Sequence, residues 1–267
     1  MRAALRAVIL AAGASLQSSA PAQALPTVDD ALARVRENVG QFAAALPDFI
    51  CSEHVTSRRV IGGKTTSETV NHSTIVGTIK GFIESREIAA VNGKRAARAH
   101  NLKGPYIYLG GFSSLLILTF GANYIPYHDY RIAGMETVDG RPLLALEFST
   151  REGQTELIQD FWHGGPLGSR RKSLPSRDTG KAWLDPRTMQ VVRLETSHLN
   201  LPPWVQSEKV STDYAPVILD GKPFWMPKST RAEDVEPSHN PKLPAYNTCI
   251  AEYGDYRKFE ASAAIRY

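Results

Sequence analysis

Three turns of one form divide this sequence into short extended segments. They read "VNGK" at 91–94, "VDGR" at 138–141 and "LDGK" at 219–222. Asn-Gly or Asp-Gly between extended runs is typical of a two-residue β-hairpin, because both central residues must adopt a positive φ. Three such turns require at least six strands in antiparallel pairs. The chain is therefore predicted to be mainly β.

A fourth hairpin is predicted in "GKAWLDPRTMQVVRLE" at 180–195. Asp185 and Pro186 suit the first two positions of a type I turn between two extended runs. In the second run, alternation predicts that Val192 and Leu194 share one face and that Val191 lies on the other. Asp185 is thus explained as a turn residue rather than a catalytic one.

Two further strands are assigned positions in the sheet. The segment "LLALEF" at 143–148 is apolar on both faces, which indicates a central strand. The segment "KPFWMPKST" contains Pro223 and Pro227, and proline cannot donate to a hydrogen-bond ladder. We therefore expect it at an edge.

One amphipathic helix precedes the strands. Thr27 is a suitable N-cap with Asp30 three residues later, and Pro47 ends the helical pattern. Its apolar residues recur at steps of three or four: Val28, Leu32, Val35, Val39, Phe42 and Leu46. The helix is predicted to lie across an apolar surface.

Residues 1–24 have the three regions of a secretory signal peptide: two arginines, a short apolar run, and small residues at positions 22 and 24. We expect cleavage after Ala24 and a periplasmic or secreted protein, with 25–267 as a single β-rich domain. Removal of two of the 31 Lys and Arg residues, against 27 Asp and Glu, leaves a net charge of +2. This argues against nucleic-acid binding. No later apolar run is long enough for a transmembrane segment.

The sequence contains two cysteines, Cys51 and Cys249. Because an oxidising compartment favours disulfides, we expect the two to be joined. The alternative is a reactive thiol. It is disfavoured at Cys51, because the neighbouring acids in "LPDFICSEH" would raise a thiol pKa.

Two segments do not fit a plain sheet. "GGFSSLLILTFG" at 110–121 predicts a short helix without a polar side, which is either buried core or a lid over a ligand cavity. Residues 151–180 are expected to form a long loop, either a solvated insertion or a binding loop. The candidate ligand-binding residues come from these segments: Phe112, Leu115, Leu116, Leu118, Phe120, Phe161 and Trp162.

The residues that carry chemistry form no recognisable pattern. The seven histidines show no metal-ligand spacing. "GFSSL" has Leu115 where a nucleophile elbow requires glycine, and "IGGKTT" at 61–66 is a Gly-Gly turn rather than a phosphate-binding loop. The sequence therefore predicts no catalytic residue, metal or cofactor, and favours a non-catalytic protein over an enzyme.

"WLDP" followed by "VVRLE", together with the N-terminal helix and the run of hairpins, resembles the periplasmic lipoprotein-carrier fold. This LolA/LolB-like group includes the RseB/MucB-type sensor domains. "LPDFICSEH", "GFSSLL" and "YRKFEASAAIRY" also resemble an uncharacterised family of exported bacterial proteins. The resemblance implies an α+β fold that is mainly β: a large curved antiparallel sheet, an open half-barrel, partly covered by helices, whose hollow holds acyl chains in the carriers.

Three functions follow as hypotheses. The first is a non-catalytic exported protein that binds a lipid, acyl group or other apolar small molecule in the hollow of the sheet. The second is an interaction or sensor module whose partner is another envelope protein. The third is an enzyme of unknown type, with a site assembled from distant residues. Folds host many functions, so the resemblance does not decide among them.

Overall fold

The structure is a computed structural model that describes residues 25–78, 83–99, 101–108, 114–153, 158–163, 170–238, 240 and 242–259 of the 267-residue chain. The predicted signal peptide, residues 1–24, lies outside the described residues. No helix in the described part is both long enough and apolar enough to cross a membrane.

Two helices and thirteen strands make up the described fold. The helices are α1 (Val28–Ala45) and α2 (Ser114–Phe120), and a single 3-10 turn occupies Ile125–Tyr127. The strands are β1 (Phe49–Ile61), β2 (Lys64–Thr78), β3 (Ile83–Val91), β4 (Lys94–Ala99), β5 (His128–Val138), β6 (Arg141–Thr150), β7 (Ile158–His163), β8 (Arg170–Pro175), β9 (Asp178–Leu184), β10 (Val191–His198), β11 (Ser207–Leu219), β12 (Lys222–Glu236) and β13 (Ala245–Lys258).

Eleven strands form one antiparallel sheet in the order β4-β3-β2-β1-β13-β12-β11-β10-β9-β6-β5. The first and last strands of this order are not paired with each other, so the sheet is open. The predicted fold class, a large open antiparallel sheet with two helices, is confirmed. The doubly apolar segment "LLALEF" lies in β6, between β5 and β9, as expected for an interior strand.

The predicted hairpin turns are all present. Asn92, Asp139 and Asp220 have φ between 49° and 52°, and the glycine after each has φ between 73° and 77°. These values connect β3 to β4, β5 to β6, and β11 to β12 through the turns expected from Asn-Gly and Asp-Gly. The Gly-Gly turn at 62–63 connects β1 to β2.

Helix α1 begins and ends as its sequence indicates. The Thr27 hydroxyl accepts a hydrogen bond from the Asp30 amide at 3.1 Å, and donates to the Asp30 carboxylate at 2.6 Å. The backbone is extended from Leu46 onward, next to Pro47. Val35, Val39 and Phe42 are buried against the sheet. The helix covers the concave face, defined here as the sheet face that packs against α1 and α2.

Helix α2 links two halves of the concave face. Leu115 packs against the cluster that contains Leu144 of β6, and also against the cluster that contains Val55 of β1. Strands β6 and β1 are separated by five other strands in the sheet order. Both clusters extend to β11, through Tyr214 in the first and Val210 in the second, so α2 lies where the two halves meet.

Strand β12 corrects one prediction from the sequence. It lies between β11 and β13 rather than at an edge. Its pairs with β13 begin only at Ser229, so Pro223 and Pro227 lie in a half that pairs with β11 alone. The missing proline N–H therefore faces the side where no ladder forms.

The same region forms a two-stranded ribbon that extends beyond the pairing with β10 and β13 and packs against the core through Leu219, Phe224 and Met226. Pairing of β11 with β10 ends at Asp213, and a register shift separates Asp213 from Tyr214. Beyond this point residues 214–219 and 222–227 pair only with each other in the described part of the chain.

Residues 151–180 are not one long loop. Strands β7 and β8 pair with each other in a separate two-stranded sheet, and Asp178 begins β9 of the main sheet. In β10, a register shift between Val191 and Arg193 changes the predicted alternation. Val191 joins the same core cluster as Leu194, whereas Val192 packs on the opposite face.

Candidate functional site

An apolar cleft of about 280 Å³ lies between α1 and the rim of the sheet. The turn between β9 and β10 and the β11–β12 ribbon form its other sides. Its walls are mainly apolar: Val35, Val39, Phe42, Leu116, Met189, Val191, Phe224 and Trp225. Its size and lining are close to the lower end of small-molecule sites in proteins.

Polar groups border this cleft on the α1 side and on the ribbon. The Asn38 amide donates to the Thr188 carbonyl at 2.9 Å, which ties α1 to the β9–β10 turn. Gln41 and Gln190 also contribute to the lining. Lys222, exposed at the start of β12, is the one charged residue among the described lining residues.

The predicted ligand-binding residues divide into several groups. Leu116 lines the cleft and is also part of the core. Phe120 is fully buried, and its ring lies 5.9 Å from that of Tyr130 and 6.3 Å from that of Phe148. Leu115 packs into two core clusters, and Leu118 is half-buried outside them.

Three of the predicted residues have no described side chain. Phe112 lies outside the described residues. Phe161 and Trp162 belong to β7, whose backbone alone is described. The interpretation of "SSLLILTF" as core is therefore supported at Leu116 and Phe120, and ligand contact stays a prediction for the set.

A further part of the concave face is covered by residues 101–108, which we call the strap and which pack on the cluster that contains Val55. The Asn71 side chain makes two hydrogen bonds to the backbone of Lys103, at 2.8 and 2.9 Å. The Ser57 hydroxyl donates to the Tyr106 carbonyl at 2.5 Å and accepts from the Tyr106 amide at 3.1 Å. A Cβ on Gly104 would lie 2.4 Å from Ser57, so the close approach requires glycine. The strap thus occupies part of the hollow that an open half-barrel without such a segment would have.

A row of polar side chains crosses six strands beneath the strap. The register places Asp178 opposite His198, Glu208 opposite Asp234, Asp234 opposite Asn247, and Asn247 opposite Arg59. His198 Nε2 lies 3.7 Å from Glu208 Oε2, which connects the two halves of the row. We call these residues the polar row.

The polar row holds protons more tightly than isolated side chains do. Burial raises the pKa of Asp234 to about 7, and the charges of Glu236 and Glu208 add to it against the Asn247 hydrogen bond. Burial also raises the pKa of Glu208, against the opposing effects of His198 and of Tyr106. Burial lowers the pKa of His198, but the hydrogen bond and charge of Asp178 outweigh this and raise it.

The strap covers the polar row and is hydrogen-bonded to it. The Tyr106 hydroxyl donates to Glu208 Oε1 at 2.8 Å. Among the described residues, nothing hydrogen-bonds to Glu208 Oε2 or to Asn247 Oδ1, although both atoms are buried. A histidine between two carboxylates is a suitable general base, but here the strap lies where a substrate would have to approach.

The cysteines correct another prediction. Cys51 and Cys249 are buried thiols and are not bonded to each other. Cys249 lies opposite Ser57, and Cys51 lies six positions earlier on β1 (57 − 51). At about 3.4 Å per residue this separates them by roughly 20 Å, well beyond the roughly 7 Å limit for a disulfide. Burial raises the pKa of the Cys249 thiol to about 11.

The histidines do not gather into a metal site within the described ranges. No group of three or more His, Cys, Asp or Glu residues there could hold a metal ion. His54 and His72 do lie opposite each other on β1 and β2, with ring centroids 4.4 Å apart. This pair is a cross-strand contact without a third ligand.

Sequence reasoning missed both the cleft walls and the polar row. Nothing in the sequence around Phe224 and Trp225 indicates that they lie beside α1, because this proximity depends on pairing between distant strands. The polar row, in contrast, could have been recognised in the sequence. Glu208 lies in the same alternation phase as the buried residues Val210 and Tyr214, and Asp234 shares a phase with Ala232. A charged residue in the buried phase of a strand indicates a buried polar group.

No protein-family model matches this chain, and no curated protein matches it either. Among solved structures, the chain is similar to a DUF1329 family protein from Desulfovibrio piger, with 12% identity and a TM-score of 0.40 over 88% of this chain and 95% of that one. A LolA superfamily protein from Nitrosomonas europaea matches with 10% identity and a TM-score of 0.40, over 88% of this chain and 96% of that one.

A third similar structure is an outer membrane lipoprotein-sorting protein domain from Vibrio parahaemolyticus, with 9% identity and a TM-score of 0.42 over 88% of this chain and 95% of that one. The matches include the LolA group that the sequence resembles, as predicted. At these identities and scores, the likeness carries no argument about ligand or activity.

Proposed function

We propose that this chain is an exported, non-catalytic protein that binds one apolar chain, such as an acyl group, in the cleft beside α1. The observation that carries the proposal is the cleft itself, with about 280 Å³ of space between mainly apolar walls. Apolar walls with a few polar groups at the border are typical of sites for amphiphilic small molecules.

The volume of the cleft limits the ligand to a single chain. An apolar cavity of about 150 Å³ accommodates one benzene molecule. A cleft of 280 Å³ therefore has space for roughly twelve carbon atoms. A lipid with two or three full-length chains would not fit without movement of the walls.

The position of the cleft differs from the hollow expected from the sequence. Leu116, Phe120 and the strap occupy the centre of the concave face, so the proposed ligand lies at the rim of the sheet. Leu116 contributes to both the core and the cleft. It is the predicted ligand-binding residue that supports this proposal most directly.

Displacement of a neutral fluorescent probe, N-phenyl-1-naphthylamine, by straight-chain alcohols tests the proposal. Each added methylene should tighten binding about four-fold, because burial of a methylene contributes roughly 0.8 kcal/mol. The increase should stop near roughly twelve carbons, when the cleft is full. Native mass spectrometry of protein from its own envelope should detect a retained single-chain ligand.

Two neighbouring alanines at the end of α1 provide a matched pair of variants. Ala45 is exposed and lines the cleft, whereas Ala44 is exposed and does not line it. Ala45→Trp should block binding, and Ala44→Trp should leave it unchanged. If delipidated native protein binds neither probe nor alcohol, the proposal fails and the interaction module becomes the better hypothesis.

A further inference from the structure

We infer that the ligand of the α1 cleft is a single-chain amphiphile with a carboxylate head, and that Lys222 binds this carboxylate. The inference rests on the proposed function and adds the charge of the ligand's head group. It is carried by the distribution of charge around the cleft.

The described residues that line the cleft carry one charge, which is positive. Glu37 of α1 accepts a hydrogen bond from the lining residue Gln41 at 3.1 Å but does not itself line the cleft. None of its described lining residues is acidic, and Lys222 is cationic. A ligand with an anionic head is therefore attracted to this border, whereas a cationic head is repelled. Lys222 can form one ion pair, and the second negative charge of a phosphate would find no further cation among the described lining residues, so we assign the singly charged carboxylate as the head.

The Lys222 ammonium is available to a ligand. Among the described residues, no carboxylate lies within 4.0 Å of it. Its neighbour Asp220 is engaged elsewhere, because the Lys258 ammonium lies 3.2 Å from Asp220 Oδ2. The turn that carries Asp220 thus does not neutralise Lys222.

The backbone fixes where this ammonium can reach. Lys222 follows the tight Asp220-Gly221 turn and pairs with Leu219 across the ribbon. Phe224 and Trp225, two and three residues later, belong to the apolar wall. The Lys222 charge therefore lies at the end of the ribbon, and the apolar wall extends from there towards the interior of the cleft. An acyl chain placed along this wall has its head group beside Lys222.

The test compares amphiphiles with twelve-carbon chains below their critical micelle concentrations, by displacement of the same neutral probe at low salt. Dodecanoate should bind about five-fold more tightly than dodecanol, and dodecyltrimethylammonium about five-fold more weakly, which is the size expected for a solvent-exposed ion pair. The differences should shrink as salt is added. Dodecyl phosphate should not bind more tightly than dodecanoate.

Two lysines on one strand make a matched control. Lys222→Gln should abolish the preference for dodecanoate over dodecanol, and Lys222→Glu should reverse it. Lys228→Gln, which removes an exposed charge of β12 that does not line the cleft, should change nothing.

The outcomes separate this inference from the proposed function. Equal binding of the anionic, neutral and cationic ligands overturns the inference while the proposed function stands. A preference that survives in Lys222→Gln also overturns it, as does tighter binding of dodecyl phosphate. If none of the ligands binds, the proposed function itself has failed.

Discussion

Glu208 and Asp234 lie directly opposite each other on β11 and β12, and both carboxyl groups are buried on the concave face. Two buried acids at this distance disfavour double ionisation, because each charge raises the pKa of the other. Glu236 adds a further negative charge near Asp234, against the opposing charge of Arg59. The folded protein should therefore bind protons that the unfolded chain releases.

This relationship predicts that the protein becomes more stable in mild acid. The pKa of Asp234 rises from its ordinary value near 4 to about 7 on folding, so its contribution is fully present below pH 4 and is lost as the pH rises through 7. The raised pKa values of Glu208 and His198 act in the same direction. Urea unfolding should show a free energy of unfolding roughly 2–4 kcal/mol larger at pH 5 than at pH 8.

Asp234→Asn should remove much of this pH dependence. The asparagine side chain keeps an oxygen that can accept the hydrogen bond now made by the Asn247 amide at 2.6 Å. Glu233→Gln is the control, because Glu233 is partly exposed on the opposite face and paired with Arg231. Equal pH slopes for wild type and Asp234→Asn would show that this carboxyl does not titrate as described.

Two thiols per chain are expected in unreduced, denatured protein. In the folded protein, reaction of Cys249 with a thiol reagent should be slow at neutral pH, because the group is buried and burial raises its pKa to about 11. Titration with Ellman's reagent before and after denaturation measures both states. Absence of thiols after denaturation would mean that the register of β1 and β13 is wrong.

Leu116 and Leu118 should respond differently to the same polar substitution. Leu116 is 5% exposed within the main core cluster, and Leu118 is half-buried outside the core clusters of the described residues. Leu116→Asn should lower the free energy of unfolding by about 3 kcal/mol through lost packing and an unpaired amide. Leu118→Asn should cost less than about 1 kcal/mol. Equal costs in thermal unfolding would contradict the packing of α2.

Asp185 should prove to be a turn residue whose hydrogen bonds matter more than its charge. Its Oδ1 accepts from the backbone amides of Arg187 and Thr188, each at 3.0 Å. Asp185→Asn should cost at most about 1 kcal/mol, because asparagine retains an accepting oxygen, and Asp185→Ala about 1–2 kcal/mol. If Asp185→Asn is as unstable as Asp185→Ala, the stabilisation comes from the charge of Asp185 rather than from its hydrogen bonds.

Gly104→Ala should weaken the attachment of the strap. The added methyl group would meet Ser57 at 2.4 Å, and the φ of 154° is unfavourable for alanine. We expect a loss of roughly 1–3 kcal/mol in stability and faster amide hydrogen exchange at Tyr106. Gly40→Ala, in α1 with open space around it, should be neutral or slightly stabilising. Unchanged exchange at Tyr106 would show that Ser57 does not hold the strap.

The sequence predicted those features that neighbouring residues determine. Asn92, Asp139 and Asp220 form their turns because the residue pair alone demands a positive φ. The cap at Thr27 likewise needs only the residues that follow it. These contacts span a few positions, so the local sequence contains all the information.

Features that depend on strand order were predicted less well. Pro223 and Pro227 indicate a strand that lacks a neighbour on one side, but not that the rest of β12 has one. Cys51 and Cys249 are kept apart by the register of two strands about two hundred residues apart in sequence. The cleft needs α1, the β9–β10 turn and the ribbon together, and no single segment contains that arrangement.

The ribbon gives the cleft one wall that is held by side chains rather than by a neighbouring strand. Residues 214–219 and 222–227 have no other strand partner in the described part of the chain, but Leu219, Phe224 and Met226 are buried in the core beside Phe49 and Ile75. The opposite wall, α1, is fixed to the β9–β10 turn by Asn38 and by Arg34, whose guanidinium donates to the Arg187 carbonyl at 2.6 Å. Both walls of the cleft are thus anchored. Tilting the hairpin for a thicker ligand would pull Phe224 and Met226 out of the core, so the cleft should select for chain thickness as well as for length.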